Sequence, residues 1–430
     1  MRYVFVLGFA LFAMFFGAGN LIFPPTLGHL AGNRFVLAMV GFLLTGVGLP
    51  LMGILAVAKA DGGIDQIASR IDKRIATLLS VVIMLAIGPL LAIPRTCATT
   101  YELGIAPNIP WMGSWVFSFI FFAVVLAFSL NSLKVVDRVG KILTPVLLLS
   151  LIILIVRGIM NPVGAPVITG QAHPFGRSLV EGYQTMDLMA ATVFGIIILN
   201  AVRSRGIVDK TKQLTGIVKA GIISAAGLAV VYGGLVYLGA TSSGLGGEFT
   251  RTELLLTISQ RVLGNASGIV LGLAVSVACL TTAIGLTVAC GEYFDKLSRG
   301  KLNYKLVCLA IAIISFILSN AGVEMIIKVS LPLLVSLYPV VMVLVILTLV
   351  GKRLDRPGVW RGAAAGAFAY GLIDALHRTG IQAQSISVLF DVLPLTDHGL
   401  GWLLPAVLLG SMGALIRERK TPLNVGDASL

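Results

Sequence analysis

Residues Phe9–Pro25 read FALFAMFFGAGNLIFPP. The stretch is apolar enough to lie inside a membrane, yet its second half holds two glycines, an asparagine and two prolines. Lipid offers no partner to a free amide or carbonyl, so backbone at membrane depth leaves the helix only where protein or a water-filled cavity satisfies it. Gly17 and Gly19 lower the cost of leaving helical geometry, and Gly-Ala-Gly lets a ligand come close to the backbone. A break here makes two half-helices. The inner half ends in free carbonyls that suit a small cation; the outer half begins with free N–H groups and a positive dipole end that suit a carboxylate. Pro24 and Pro25 are expected early in the outer half, where a missing N–H costs little. The competing reading is close helix packing, which small residues also serve.

The rest of the chain places this stretch in a polytopic membrane protein. Of its residues 57% are hydrophobic and 12% charged, with a mean hydropathy of +0.97. Soluble domains carry about a quarter charged residues. The net charge of +13 lies in short runs between apolar spans and not in one basic stripe, so no nucleic-acid partner is expected. No obligate protein partner is indicated either. Cys97, Cys279, Cys290 and Cys308 fall in or beside apolar runs and read as small buried hydrophobes. The basic, apolar N-terminus imitates a signal peptide but lacks a persuasive cleavage site, and reads as a retained first span.

By the apolar-run criterion twelve spans are expected, near 3–29, 35–58, 75–104, 113–133, 142–160, 187–203, 215–240, 266–290, 304–321, 325–350, 361–378 and 400–416. With the N-terminus inside, 24 Lys and Arg fall on the cytoplasmic side, 7 on the outer side and one, Arg95, within the third span. That bias puts both termini in the cytoplasm, with a polar tail at 417–430. An outer segment, RTELLLTISQRVLG (251–264), reads as an amphipathic helix that either covers an outward opening or lies on the membrane surface.

Two further spans bear on the first. The sixth, TMDLMAATVFGIIILNAV, has Asp187 at its expected outer end and Gly195 near its middle. The first and sixth spans lead two five-span halves of opposite topology, 1–160 and 187–350, with two more spans at 361–416. Interrupted segments at matching places in inverted halves point to a transporter site. The eighth span carries Thr281 and Thr282, whose hydroxyls either contribute oxygens to a sodium site or bond back to their own helix.

The opening stretch, with GPLLAIPRTC in the third span and FGIII in the sixth, resembles the bacterial branched-chain amino acid carriers, the leucine/isoleucine/valine:cation symporters. The resemblance covers nearly the whole chain. It implies an all-α leucine-transporter-like fold, a five-plus-five inverted repeat with broken helices 1 and 6 and two added helices. It further implies that Gly17, Ala18 and Gly19 meet the substrate carboxylate, with Phe16, Asn20, Ala191, Phe194 and Gly195 completing the substrate site. Sodium would take carbonyls of Ala13, Phe16 and Ala278 and hydroxyls of Thr281 and Thr282. Ala191 departs from the small hydroxylic residue common there, leaving open a second sodium site. Met14 and Val193 join Phe16 and Phe194 as expected apolar walls.

The remaining intramembrane charges have two readings each. Arg95 sets the charge of a permeation path or gate, or forms a structural ion pair with Asp187 or Glu102. Asp187 recognises a substrate ammonium or caps a loop. Glu324 and Lys328 are expected to pair locally. No Walker loop, Gly-x-Ser-x-Gly or metal-ligand spacing supports an enzyme. The expectation is therefore a sodium symporter for leucine, isoleucine and valine in the bacterial inner membrane, with sodium as coupling ion and no cofactor. Proton coupling through Asp187 or Glu102 is the alternative; a channel or a non-transporting amino acid sensor is more remote.

Overall fold

The computed structural model describes residues 2–130, 133–207, 209–379 and 393–415; the expected tail at 417–430 and the end of the last apolar run lie outside them. Among the described residues every regular element is helical. The opening stretch forms α1 (Arg2–Phe15) and α2 (Ala18–Ala31). Next come α3 (Phe35–Leu43), α4 (Leu49–Ala60), α5 (Ile64–Ala68), α6 (Lys73–Leu85), α7 (Ala92–Thr100), α8 (Ser114–Leu130) and α9 (Leu133–Met160). The second half holds α10 (Pro174–Tyr183), α11 (Asp187–Arg203), α12 (Lys210–Thr241), α13 (Arg251–Leu263), α14 (Ser267–Leu297), α15 (Tyr304–Ser319) and α16 (Val323–Val350). After these come α17 (Pro357–Arg378) and α18 (Leu403–Leu415).

Among the described residues five continuous helical stretches are long and apolar enough to cross a membrane, and a sixth arises if α10 and α11, bent by 44°, count as one span. Shorter apolar helices include α8, α15 and α18. Phe119, Ile313, Val407 and Met412 on these helices are exposed, as is Leu149 on α9. In water such a surface would aggregate; against lipid tails it costs nothing. The chain is a multi-pass membrane protein.

Polar caps mark where helices start outside the apolar region. Asp72 accepts the N–H groups of Arg74 (2.7 Å) and Ile75 (3.3 Å) at the head of α6. Those two bonds hold its carboxyl below the usual carboxylate range. Thr250 and Glu253 form a capping box on α13.

Inside, α1 and α2 pack on α12, α11 on α4, and α14 on α7 and α9. The α2–α12 approach needs glycine on both sides. A Cβ on Gly28 would stand 1.9 Å from the Val236 carbonyl oxygen, and one on Gly239 would stand 1.9 Å from that of Pro25.

Two local expectations change. Because α2 starts at Ala18, Pro24 and Pro25 lie beyond its first turn, inside the helix. The carbonyls of Asn20 and Leu21 thereby lose their intrahelical donors. The third apolar run, read as one unbroken span, is interrupted between α6 and α7. Gly88 leaves helical geometry (φ −91°, ψ −118°) within a π turn over Ala86–Leu90 that also contains Pro89.

Candidate functional site

The first break is where the opening stretch places it. The Phe16 N–H still bonds the Phe12 carbonyl at 2.9 Å, and helical bonding then stops. Gly17 is extended (φ −117°, ψ −165°), a conformation any residue adopts. Its need for glycine is spatial: a Cβ would lie 3.2 Å from Thr282 Oγ1. The Gly17 N–H donates to Asn20 Oδ1 at 3.2 Å. The amides that follow, at the head of α2, have no intrahelical acceptor.

The second break is not at Gly195. Helix α10 ends at Tyr183, Met186 is left-handed (φ +63°), and α11 starts at Asp187. Gly195 sits in continuous helix, where a Cβ would lie 2.9 Å from Val57 Cβ, so it is a packing residue against α4. Ala191 likewise faces α4, at Gly53. The sixth span thus begins upstream of its expected start, and Asp187 is buried at the head of α11. Tertiary partners hold the unwound segment. The Gln184 carbonyl accepts Arg95 Nη1 at 2.6 Å, and Gln184 Oε1 accepts Ser330 Oγ at 3.1 Å. Thr185 Oγ1 donates to the Gly182 carbonyl at 2.8 Å, and the Leu188 N–H donates to the Tyr338 hydroxyl at 3.1 Å.

Asn20 ties the two breaks together. Besides capping Gly17, its Nδ2 donates to Asp187 Oδ2 at 2.6 Å and to the Tyr232 hydroxyl. A small, nearly closed cavity, with room for little more than a water molecule, lies between the breaks. Gly17, Ala18, Gly19, Asn20, Arg95, Asp187 and Thr282 line its polar part, and Met14, Phe194 and Leu286 belong to its apolar part. Phe15, in edge contact with Phe194 at 6.1 Å, lines it in place of Phe16, which stacks on Phe12 and Tyr232. Val193, Ala13, Ala278 and Thr281 are outside the lining.

The two adjacent threonines differ. Thr281 Oγ1 bonds back to the carbonyls of Val277 (2.9 Å) and Ala278 (3.0 Å). Thr282 Oγ1 is buried without a partner beside Gly17. A buried hydroxyl left unpaired costs about 1–3 kcal/mol, and Thr282 is also part of the cavity lining.

Arg95 and Glu102 do not form the expected pair. Glu102 accepts Thr252 Oγ1 at 2.8 Å and the Val323 N–H at 2.9 Å, away from the cavity. Glu324 does not pair with Lys328; it accepts the Arg251 N–H at 3.0 Å and Nη1 at 2.7 Å. Arg251 also reaches Glu181 at 3.4 Å and lies 5.6 Å from the Phe23 ring centroid. These contacts fasten α13 to the first turn of α16, to the end of α10 beside the second break and to the middle of α2. Its Leu254, Leu255 and Ile258 are buried, so the apolar face of the amphipathic segment packs on the protein. Sequence reasoning missed Thr185, Gln184 and Tyr232. Gln184 lies just before the quoted sixth span and Thr185 is its first residue, where nothing marks a break, and one tyrosine in a long apolar helix carries no local signal.

These features define a class: an all-helical membrane protein with two interrupted spans around a central cavity. Solved structures of that class superpose. Mhp1, a nucleobase-cation-symport-1 family transporter in a closed conformation with bromovinylhydantoin bound, matches with TM-score 0.64 at 14% identity over 96% of this chain and 91% of that one. MhsT in complex with L-phenylalanine matches with TM-score 0.58 at 15% identity over 95% and 98%. The fold is leucine-transporter-like.

Residues 1–420 match the family described as branched-chain amino acid transport protein, and the chain belongs to that family. It is 40% identical over 421 residues to the branched-chain amino acid permease BraB of Bacillus subtilis, covering 96% of this chain and 94% of the relative. It is also 40% identical over 409 residues to the branched-chain amino acid transport system 2 carrier protein of Pseudomonas aeruginosa, covering 93% and 92%. The permease BrnQ of Escherichia coli is 35% identical over 424 residues, covering 95% and 94%.

Proposed function

We propose that this chain is a sodium-coupled symporter that imports leucine, isoleucine and valine across a bacterial cytoplasmic membrane by alternating access. The observation that carries this reading is the meeting of two helix breaks around one cavity, with the unpaired Thr282 hydroxyl beside the first. The substrate class comes from the relatives' names. The cavity chemistry agrees with it: free amides and charges at one part, Met14, Phe15, Phe194 and Leu286 at another. Sodium is expected between the carbonyls of Ala13, Phe16 and Ala278 and the hydroxyls of Thr281 and Thr282. For this Thr281 turns away from its own helix, at a cost of about 1 kcal/mol.

Twelve spans with both termini cytoplasmic complete the arrangement, in repeats 1–160 and, with its first span extended upstream, 174–350, followed by two further helices. Helix α13 is the outer barrier, and sodium and substrate raise each other's affinity by equal factors because both favour one state.

The test is leucine uptake by proteoliposomes with an inward sodium gradient. Accumulation driven by sodium is expected; uptake that ignores sodium and follows only a proton gradient overturns the coupling. A second reading, proton coupling at Asp187, has its own support. That carboxylate is buried, its side-chain partner is Asn20, and among the described residues no cationic side chain lies within ion-pair distance. Replacing Thr281 and Thr282 together by valine separates them: sodium-driven uptake is lost in the first reading, whereas proton-driven uptake is untouched in the second.

A further inference from the structure

We propose that Arg95 is the fixed cation that receives the substrate's carboxylate, so that the carboxylate needs no second sodium ion. This rests on the reading of the cavity as an amino acid site. Arg95 is 3% exposed, on α7, and its guanidinium lines the cavity. An arginine at membrane depth is costly to bury and needs partners. Its partners here are few. Nη1 donates to the Gln184 carbonyl at 2.6 Å, and the guanidinium lies 5.5 Å from the Phe23 ring centroid. Nε is buried without a partner. Among the described residues no carboxylate lies within ion-pair distance of it.

The free edge has a direction. Nη2 would stand 3.0 Å from a Cβ on Gly19, so it points at the head of α2, where free amides already favour an anion. Nε and Nη2 form one side of the guanidinium fork, and that side matches the two oxygens of a carboxylate. Nη1, on the other side, is the group already spent on Gln184. The same Gly19 position explains why no side chain stands between Arg95 and the amides.

Asp187 lines the same cavity, tethered to Asn20. A zwitterion placed between them puts its carboxylate on Arg95 and α2 and its ammonium toward Asp187. Each buried charge gains a partner and the site's net charge is unchanged. A second bound cation beside Arg95 would be repelled. Only the cation at Thr282 remains, and one coupling ion per amino acid follows.

The experiment uses the full chain in proteoliposomes, with leucine and leucinamide competing against labelled leucine, for wild type, Arg95→Gln and Arg95→Lys. In wild type, leucinamide is expected to compete about a hundredfold more weakly than leucine, and sodium to activate with a Hill coefficient of about 1. In Arg95→Gln the leucine half-saturation is expected to rise about a hundredfold while leucinamide moves less than about threefold, so discrimination collapses. Arg95→Lys, which keeps charge without the fork, is expected to weaken leucine about tenfold. Undiminished discrimination in Arg95→Gln overturns the proposal. So does an unchanged leucine half-saturation in Arg95→Lys, which decides if the glutamine variant fails to reach the membrane. Wild-type protein that handles no branched-chain amino acid would instead overturn the transport reading.

Discussion

The two helix breaks do the same job by different means. At the first, the local sequence supplies the weakness: Gly17 is at the unwound point, Gly19 is in the first turn of α2, and little besides Asn20 holds the break. At the second, Gln184, Thr185 and Met186 include no glycine, and Met186 adopts a left-handed conformation with its side chain buried. Arg95 on α7 and Ser330 and Tyr338 on α16 pin that segment and the start of α11. A break encoded by small residues is open to a ligand because nothing fills the space. A break imposed by neighbours is rigid, and it can seat a carboxylate such as Asp187 at its edge.

This contrast can be broken at several points. The largest effect is expected from Gly19→Val. Its side chain would press on Phe23 (2.9 Å from Cε2) and Arg95, closing the cavity at the first break. Uptake of leucine should fall about a hundredfold with the protein still in the membrane, read by transport alongside surface labelling. If uptake persists, the space beside Gly19 is not used.

Asn20→Ala comes next, because Asn20 joins the breaks. Losing its bonds to Gly17 and Asp187 should weaken leucine about tenfold. Combined with Asp187→Asn, the two losses should be non-additive by about 1–2 kcal/mol in a double-mutant cycle. Additive losses would mean that the breaks are independent.

The smallest effect sharpens the comparison most. Met186→Gly and Met186→Ala both remove a buried side chain and should both destabilise. Glycine alone relieves the left-handed backbone, so thermal unfolding in detergent should find it about 1 kcal/mol more stable than alanine. In ordinary helix the order reverses. Alanine matching or beating glycine would show that residue 186 carries no backbone cost.

The same contrast explains what the sequence made legible. Apolar runs identify the membrane helices, because a span needs only length and hydropathy, and the Gly-Ala-Gly break is written in adjacent residues. The second break could not be read this way. Gly195 looked like the weak point but packs on Val57, while the true break has no local signature. Charge pairing failed for a related reason. Spacing suggested Glu324 with Lys328, yet Arg251 from α13 takes Glu324. Long-range partners, which proximity in sequence cannot supply, decide each of these cases.

The most direct test is a cryo-electron microscopy structure of the protein in lipid nanodiscs with sodium and leucine. Leucine density is expected between the Gly17–Gly19 amides and the Gln184–Asp187 segment, carboxylate toward Arg95, with an ion within reach of Thr282 Oγ1. Density for leucine elsewhere, with helix running unbroken through Gly17 or through Thr185, would contradict it.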